Sequence, residues 1–231
     1  MVYRKLDPSH ITATAERLRR RIEERFPDSS LLRVAKELEQ VTSEAYALSE
    51  TIASPDRRLR LVTGLCIGLL VVLLAAIAAQ VRLETGPGGW SDFLQGLEAL
   101  VNDIVFAGIA IYFLVGLEPR RKRQRVLKAL HTLRSLVHIV DMHQLTKDPE
   151  RILRTGPRTA SSPDRQMTPF ELTRYLDYSS EMLAIIGKIA ALYVQDFNDP
   201  VTLDAASSVQ DLTVNHSRAI WQKLMILERS V

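Results

Sequence analysis

The sequence predicts an all-α fold: a two-span transmembrane helical hairpin with a cytoplasmic antiparallel helical bundle formed by the N- and C-terminal segments. Three observations carry this. Two apolar runs, Leu61 to Val81 and Leu97 to Leu117, each hold about the 20 residues a helix needs to cross a hydrocarbon core ~30 Å thick. Elsewhere apolar residues recur at three- and four-residue spacing, and alternating β-branched runs of the kind that build sheets are scarce. The resulting order is N-terminal cytoplasmic helices over 1–58, a first span over 59–83, a short external hairpin loop over 84–96 and a second span over 97–117. Residues 118–231 form C-terminal cytoplasmic helices with a flexible basic loop at 147–167.

In the first run only Thr63 and Gln80 are polar, and a soluble core helix is rarely apolar on every face over such a length. Asn102 and Asp103 interrupt the second run and leave Ile104 to Leu117 unbroken. Lys and Arg near a span resist translocation, and they sit on the outer flanks of the pair. Arg57, Arg58 and Arg60 precede the first span; Arg120, Arg121, Lys122, Arg123 and Arg125 follow the second. The connection from Arg82 to Gly96 carries Arg82 against Glu84 and Asp92. Both termini are therefore expected in the cytoplasm, with Trp90 and Phe93 suited to the headgroup zone. No signal-peptide core precedes the first span, so a bacterial inner membrane with the span as its own insertion signal is the simplest home.

The net charge of +3 is mostly this topological excess. The cluster of Arg120, Arg121, Lys122, Arg123 and Arg125 is a candidate contact for anionic lipid, each residue contributing roughly 1 kcal/mol. No nucleic-acid partner is expected, because the cluster adjoins a span and lacks interleaved aromatics. The single cysteine, Cys66, excludes an intramolecular disulfide and a cysteine-based zinc site.

Each flanking helix has a sequence reason. Asp7-Pro8-Ser9 starts the first, and Ile11, Ala15, Leu18 and Ile22 stripe it until Pro27. After Ser29-Ser30, the positions Leu31, Val34, Leu38, Val41, Ala45, Leu48 and Ile52 repeat every 3.5 residues, a seam suited to coiled-coil packing. Beyond the second span, Glu118-Pro119 permits a kink. Val126, Leu130, Leu133, Val137 and Val140 then keep a helical seam to about Leu145. Asp148-Pro149, Gly156-Pro157 and Ser161-Ser162-Pro163 break the pattern, and Lys147, Arg151, Arg154, Arg158 and Arg165 make that loop basic. In Met167-Thr168-Pro169-Phe170-Glu171-Leu172, Thr168 and Glu171 form a capping box and Pro169 fits the first turn. The last helix starts at Pro200 and carries Val209, Leu212, His216, Ile220 and Leu227.

Four groups of residues invite a functional reading. His131, His138 and Asp141 share a polar stripe, and Glu181 or Asp177 on the next helix would complete a divalent-metal site. The competing reading is a polar layer that fixes helix register, because Glu-x-x-His and His-Glu-x-x-His patterns are missing. Asn102 and Asp103 are either hydrated helix-start residues or the lining of a cation path. Gly64 and Gly68 form a small-xxx-small pattern that lets helices approach in lipid, and with the 31–52 seam it points to a homo-oligomer. In outline the chain is similar to calcium uniporter pore subunits. Their Trp-Asp-x-x-Glu-Pro motif is not matched by Trp90-Ser91-Asp92-Phe93-Leu94-Gln95, and the family is not assigned.

The expected function is an oligomeric two-pass inner-membrane protein whose cytoplasmic bundle serves as an adaptor, sensor or assembly platform. Its partners would be membrane lipids, further copies of itself and a cytoplasmic protein. The alternatives are a cation-conducting or membrane-permeabilising channel and a membrane-tethered metal-dependent hydrolase.

Overall fold

Residues 5–84, 90–149, 160 and 167–229 are described in a computed structural model, and among them there is no strand. Among the described residues seven helices follow in order: α1 Pro8–Arg25, α2 Ser30–Ala53, α3 Arg57–Glu84, α4 Trp90–Val115, α5 Leu117–Leu145, α6 Pro169–Val194 and α7 Pro200–Glu228. They divide into two units, one of Met1–Ala53 with Arg123–Val231 and one of Ser54–Lys122. The expected basic loop, with Arg151, Arg154, Arg158 and Arg165, falls largely outside the described residues.

Helix starts follow the predicted chemistry. The Asp7 carboxylate accepts the Ser9 amide at 2.8 Å to cap α1. The capping box at α6 is complete: the Glu171 amide donates to Thr168 Oγ1 at 3.2 Å, and the Thr168 amide donates to Glu171 Oε2 at 2.7 Å. Asp199 caps α7 by accepting the Thr202 amide at 3.1 Å. The turn from α1 to α2 places Asp28 at a φ of 63°, one of the few side chains that tolerate the left-handed region.

In the first unit α6 is the centre. Half of its 26 residues are buried, and Leu176, Met182, Leu183, Ile186 and Ile189 are completely so. It packs against α1, α2 and most extensively α7. α1 runs antiparallel to α6, because Lys5 pairs with Asp196 and Arg21 with Glu181. The 31–52 seam of α2 faces inward. Leu31, Val34, Leu38, Val41, Ala45 and Ile52 are buried and Leu48 is packed against the same core. That seam is thus consumed within the chain, because α1 and α6 supply the apolar surface that a second copy would otherwise provide.

α5 lies beside α7 and runs in the same direction. Arg123 reaches Asp199, Arg134 reaches Ser208, Asp141 reaches His216, and Gln144 reaches Lys223. The parallel pair is a consequence of connectivity. α5, α6 and α7 run up, down and up, and Tyr175 near the start of α6 donates to the carbonyl of His143 near the end of α5 at 3.3 Å.

The second unit inverts this arrangement of surfaces. Leu61, Leu65, Leu69, Val72, Phe106 and Tyr112 are each 65% exposed or more, and Ala107 is the buried apolar residue among those described. α3 and α4 pack on one another, yet the most apolar 18-residue window of α3 has nothing buried in it. Both helices are long and apolar enough to cross a membrane. α4 begins at Trp90, so residues 90–96 are helical where a loop was expected. The breaker cluster ends with Gly86-Pro87-Gly88-Gly89, and the lone Gly96 that follows weakens a helix without ending it. At the other end Gly116 interrupts the helix for one residue. Its amide donates to Tyr112 and its carbonyl accepts the Arg120 amide, so Pro119 falls in the first turn of α5, where its missing N–H is tolerated.

Candidate functional site

Three constellations stand out, and the most tightly bonded is at the base of the apolar hairpin. Glu118, with a side chain 15% exposed, accepts Arg60 Nε at 2.6 Å and Arg60 Nη2 at 3.4 Å. It also accepts the Asp56 amide at 3.2 Å and lies 3.3 Å from Lys122 Nζ, which itself donates to the Ser54 carbonyl at 2.8 Å. Arg60 above all, then the Asp56 amide and Lys122, hold the Glu118 carboxyl down to about 2 against the opposing effect of burial. The group joins the start of α3 to the start of α5. Sequence reading took Arg60 and Lys122 for topological and lipid-facing charges. The acceptor between them was legible as Glu118, but its partnership across 58 residues was not.

The second constellation is the polar ladder between α5 and α7. His216 Nδ1 lies 3.0 Å from Asp141 Oδ1, which also accepts Gln144 Nε2 at 2.6 Å. Lys223 Nζ donates to Gln144 Oε1 at 2.6 Å and to the Gln144 carbonyl at 2.8 Å. His138 presents its ring to His216 at 6.2 Å between centroids, nearly perpendicular. Burial pushes the Lys223 ammonium down, with Asp148 and Asp141 pulling it back.

The third is an open groove of about 790 Å³ between the end of α1 and the start of α6. Arg25 and Arg174 both stack on Phe170, at 5.1 and 5.7 Å, and Arg21 stacks on Tyr178 at 5.0 Å. Glu181 takes two hydrogen bonds from Arg21 and Asp177 pairs with Arg174 at 3.3 Å. Arg21, Arg25 and Arg174 share the wall with Glu24 and Glu171, and with Asp177 and Glu181 paired to them from beside the groove there is no excess positive charge to select an anion.

The residues singled out from sequence are scattered differently. Glu181 is turned to Arg21 on α1, His131 is exposed on α5, and only His138 and Asp141 meet another imidazole. Among the described residues no three His, Cys, Asp or Glu side chains are already gathered to hold a metal ion. The sequence stripe located two members, but the third group near them, His216, lies on the last helix, 75 positions beyond Asp141. Asn102 is exposed and Asp103 half-buried on α4. Gly64 and Gly68 lie on a face of α3 where an added Cβ would meet nothing within 4 Å.

In the basic cluster, Lys122 is held in the Glu118 group. Arg123 donates to Asp199 at 2.8 and 2.5 Å, and the Arg120 guanidinium lies 5.0 Å from the Phe113 ring centroid. Arg121 and Arg125 are exposed. The pairing with Arg123 and the Thr202 amide lowers the Asp199 carboxyl although burial works against it. Trp90 and Phe93 have side chains outside the described residues. No protein-family model matches this chain, nor does any curated protein or solved structure.

Proposed function

We propose that the chain is a two-pass membrane protein in which α3 and α4 span the bilayer. In this reading the bundle of α1, α2, α5, α6 and α7 serves as an adaptor or assembly platform on the cytoplasmic side. One observation carries the reading: the first unit has a buried apolar core, whereas among the described side chains of α3 and α4 nearly all the apolar ones face outward. A continuous apolar surface of that extent is stable only when lipid or protein covers it. The Lys and Arg bias on the outer flanks supports both ends on one side. An adaptor rather than an enzyme is favoured by the groove and ladder, where Arg21 is engaged by Glu181, Arg174 by Asp177, and Asp141 by Gln144 and His216.

In this reading self-association uses the Gly64–Gly68 face of α3, since the α2 seam is already occupied. Reporter domains fused to each terminus of the expressed protein test the topology. Both are expected to be active only as cytoplasmic reporters, with the protein resisting alkaline extraction from membranes. Recovery in the aqueous fraction, or reporters on opposite sides, would overturn it.

A further inference from the structure

We propose that Arg57, Arg58, Arg120 and Arg121 form a collar that binds the phosphate-bearing headgroups of anionic lipid where the apolar hairpin leaves the bilayer. The proposal rests on the reading of α3 and α4 as membrane spans, and all four residues lie in the second unit. Their level is set by the bond between Arg60 and Glu118 at 2.6 Å, which ties the start of α3 to the start of α5. Arg58 and Arg57 stand two and three residues before Arg60, and Arg120 and Arg121 two and three residues after Glu118. At a rise of ~1.5 Å per residue the four backbones share one layer, about 3–4.5 Å beyond that ion pair and away from the apolar runs.

The charge of this layer is unbalanced. Residues 56–60 and 118–122 hold six Arg or Lys against two carboxylates, so the collar keeps an excess of positive charge. Glu118 engages Arg60 and Lys122, and Asp56 accepts the Leu59 amide at 3.1 Å to start α3. Among the described residues the exposed side chains of Arg57, Arg58 and Arg121 have no ion pair or hydrogen bond, and that of Arg120 meets the Phe113 ring at 5.0 Å. In reaching back to Phe113, Arg120 leans towards the apolar side, where Tyr112 and Phe113 are exposed as aromatics are at a headgroup boundary. Adjacent positions on a helix point about 100° apart, so the guanidinium groups spread around the hairpin instead of converging. A sheet of headgroups matches such a layer, whereas a soluble anion is held by donors that converge on it. The planar fork of each guanidinium suits a phosphate. Of the basic cluster read from the sequence, Lys122 and Arg123 are thus withdrawn, held by Glu118 and Asp199, while Arg57 and Arg58 are added.

Electron spin resonance of the full-length protein in phosphatidylcholine vesicles, with trace spin-labelled phosphatidylglycerol or spin-labelled phosphatidylcholine, tests the collar. The share of each label immobilised by the protein gives its relative affinity. The wild type should favour phosphatidylglycerol by about fivefold, the factor set by one basic side chain at an anionic surface. Combining Arg57→Gln, Arg58→Gln, Arg120→Gln and Arg121→Gln should bring the two lipids to near-equal affinity. Removing the same charge through Arg17→Gln, Arg33→Gln, Arg218→Gln and Arg229→Gln, all exposed in the first unit, should leave the preference intact. A wild type that enters the vesicles without a preference, or a fourfold collar variant that keeps it, overturns the collar alone. A wild type that does not enter them overturns the spanning reading and the collar with it. Loss of the preference in phosphate buffer, but not in chloride of equal ionic strength, would give the collar to a soluble anion and refute the lipid. Should the fourfold variant fail to fold, the pairs at 57–58 and at 120–121 decide, each expected to lose part of the preference and neither doing so overturning it.

Discussion

The division into two units predicts that the apolar hairpin can be cut out and the remainder will fold in water. The perturbation replaces residues 54–122 by a short glycine-serine linker joining Ala53 to Arg123. Its length follows from the geometry at the excised ends. Lys122 Nζ reaches the Ser54 carbonyl at 2.8 Å, so the two backbones are no farther apart than a lysine side chain allows, on the order of 10 Å, or about three extended residues. A flexible chain of four residues has a root-mean-square span of roughly 10–12 Å, which matches the gap. The excision removes 19 of the 31 large apolar side chains that are strongly exposed among the described residues, while leaving the core of α1, α2, α5, α6 and α7 untouched. Expression without detergent, circular dichroism and thermal unfolding are the assay. The expected result is a soluble, strongly helical protein that unfolds in one cooperative step. A product that is insoluble, or helical without a cooperative transition, would refute the claim that this core is complete without the hairpin.

Other outcomes follow from the same packing. Leu183→Ala, at a fully buried position of α6, should cost about 3–5 kcal/mol and lower the unfolding temperature by roughly 5–20 °C, measurable on the excised protein. An equal change at Leu203, which is 40% exposed, should be close to neutral. The Glu118 group should show in acid. Its folded carboxyl is held at about 2 against an ordinary 4.5, so its stabilisation is complete above 4.5 and is lost as the pH falls towards 2. Across that window the unfolding temperature of the full-length protein in detergent should fall more steeply than that of Glu118→Gln, and equal slopes would discount the group. Gly64→Leu with Gly68→Leu should reduce the particle mass by light scattering in detergent, and an unchanged mass would move self-association elsewhere.

Local signals translated almost directly into local structure. Thr168-Pro169-Phe170-Glu171 closed the capping box where it stands in the chain, and Pro27 and Pro200 bounded helices as their missing amides require. The apolar stripes of α1, α2 and α5 are the buried faces. Boundaries failed where no residue forces them: α4 reaches back to Trp90 because the single Gly96 before the apolar run costs too little to end a helix. Sites fared worse. Glu181 pairs with Arg21 of α1 and not with the histidines of α5, because the planar guanidinium fork matches a carboxylate better.

By itself the sequence determined which segments are helices, which faces they bury and which two helices are long and apolar enough to cross a membrane. These are short-range properties, set by residues within a turn or two of one another. Only the tertiary structure decided who meets whom. It spent the α2 heptad seam inside the chain, brought Arg60 to Glu118, set α5 and α7 parallel and placed His216 beside Asp141. Periodicity fixes a face but not its partner, because any apolar stripe satisfies another, and the choice among partners depends on connectivity and on the summed packing of all the helices at once.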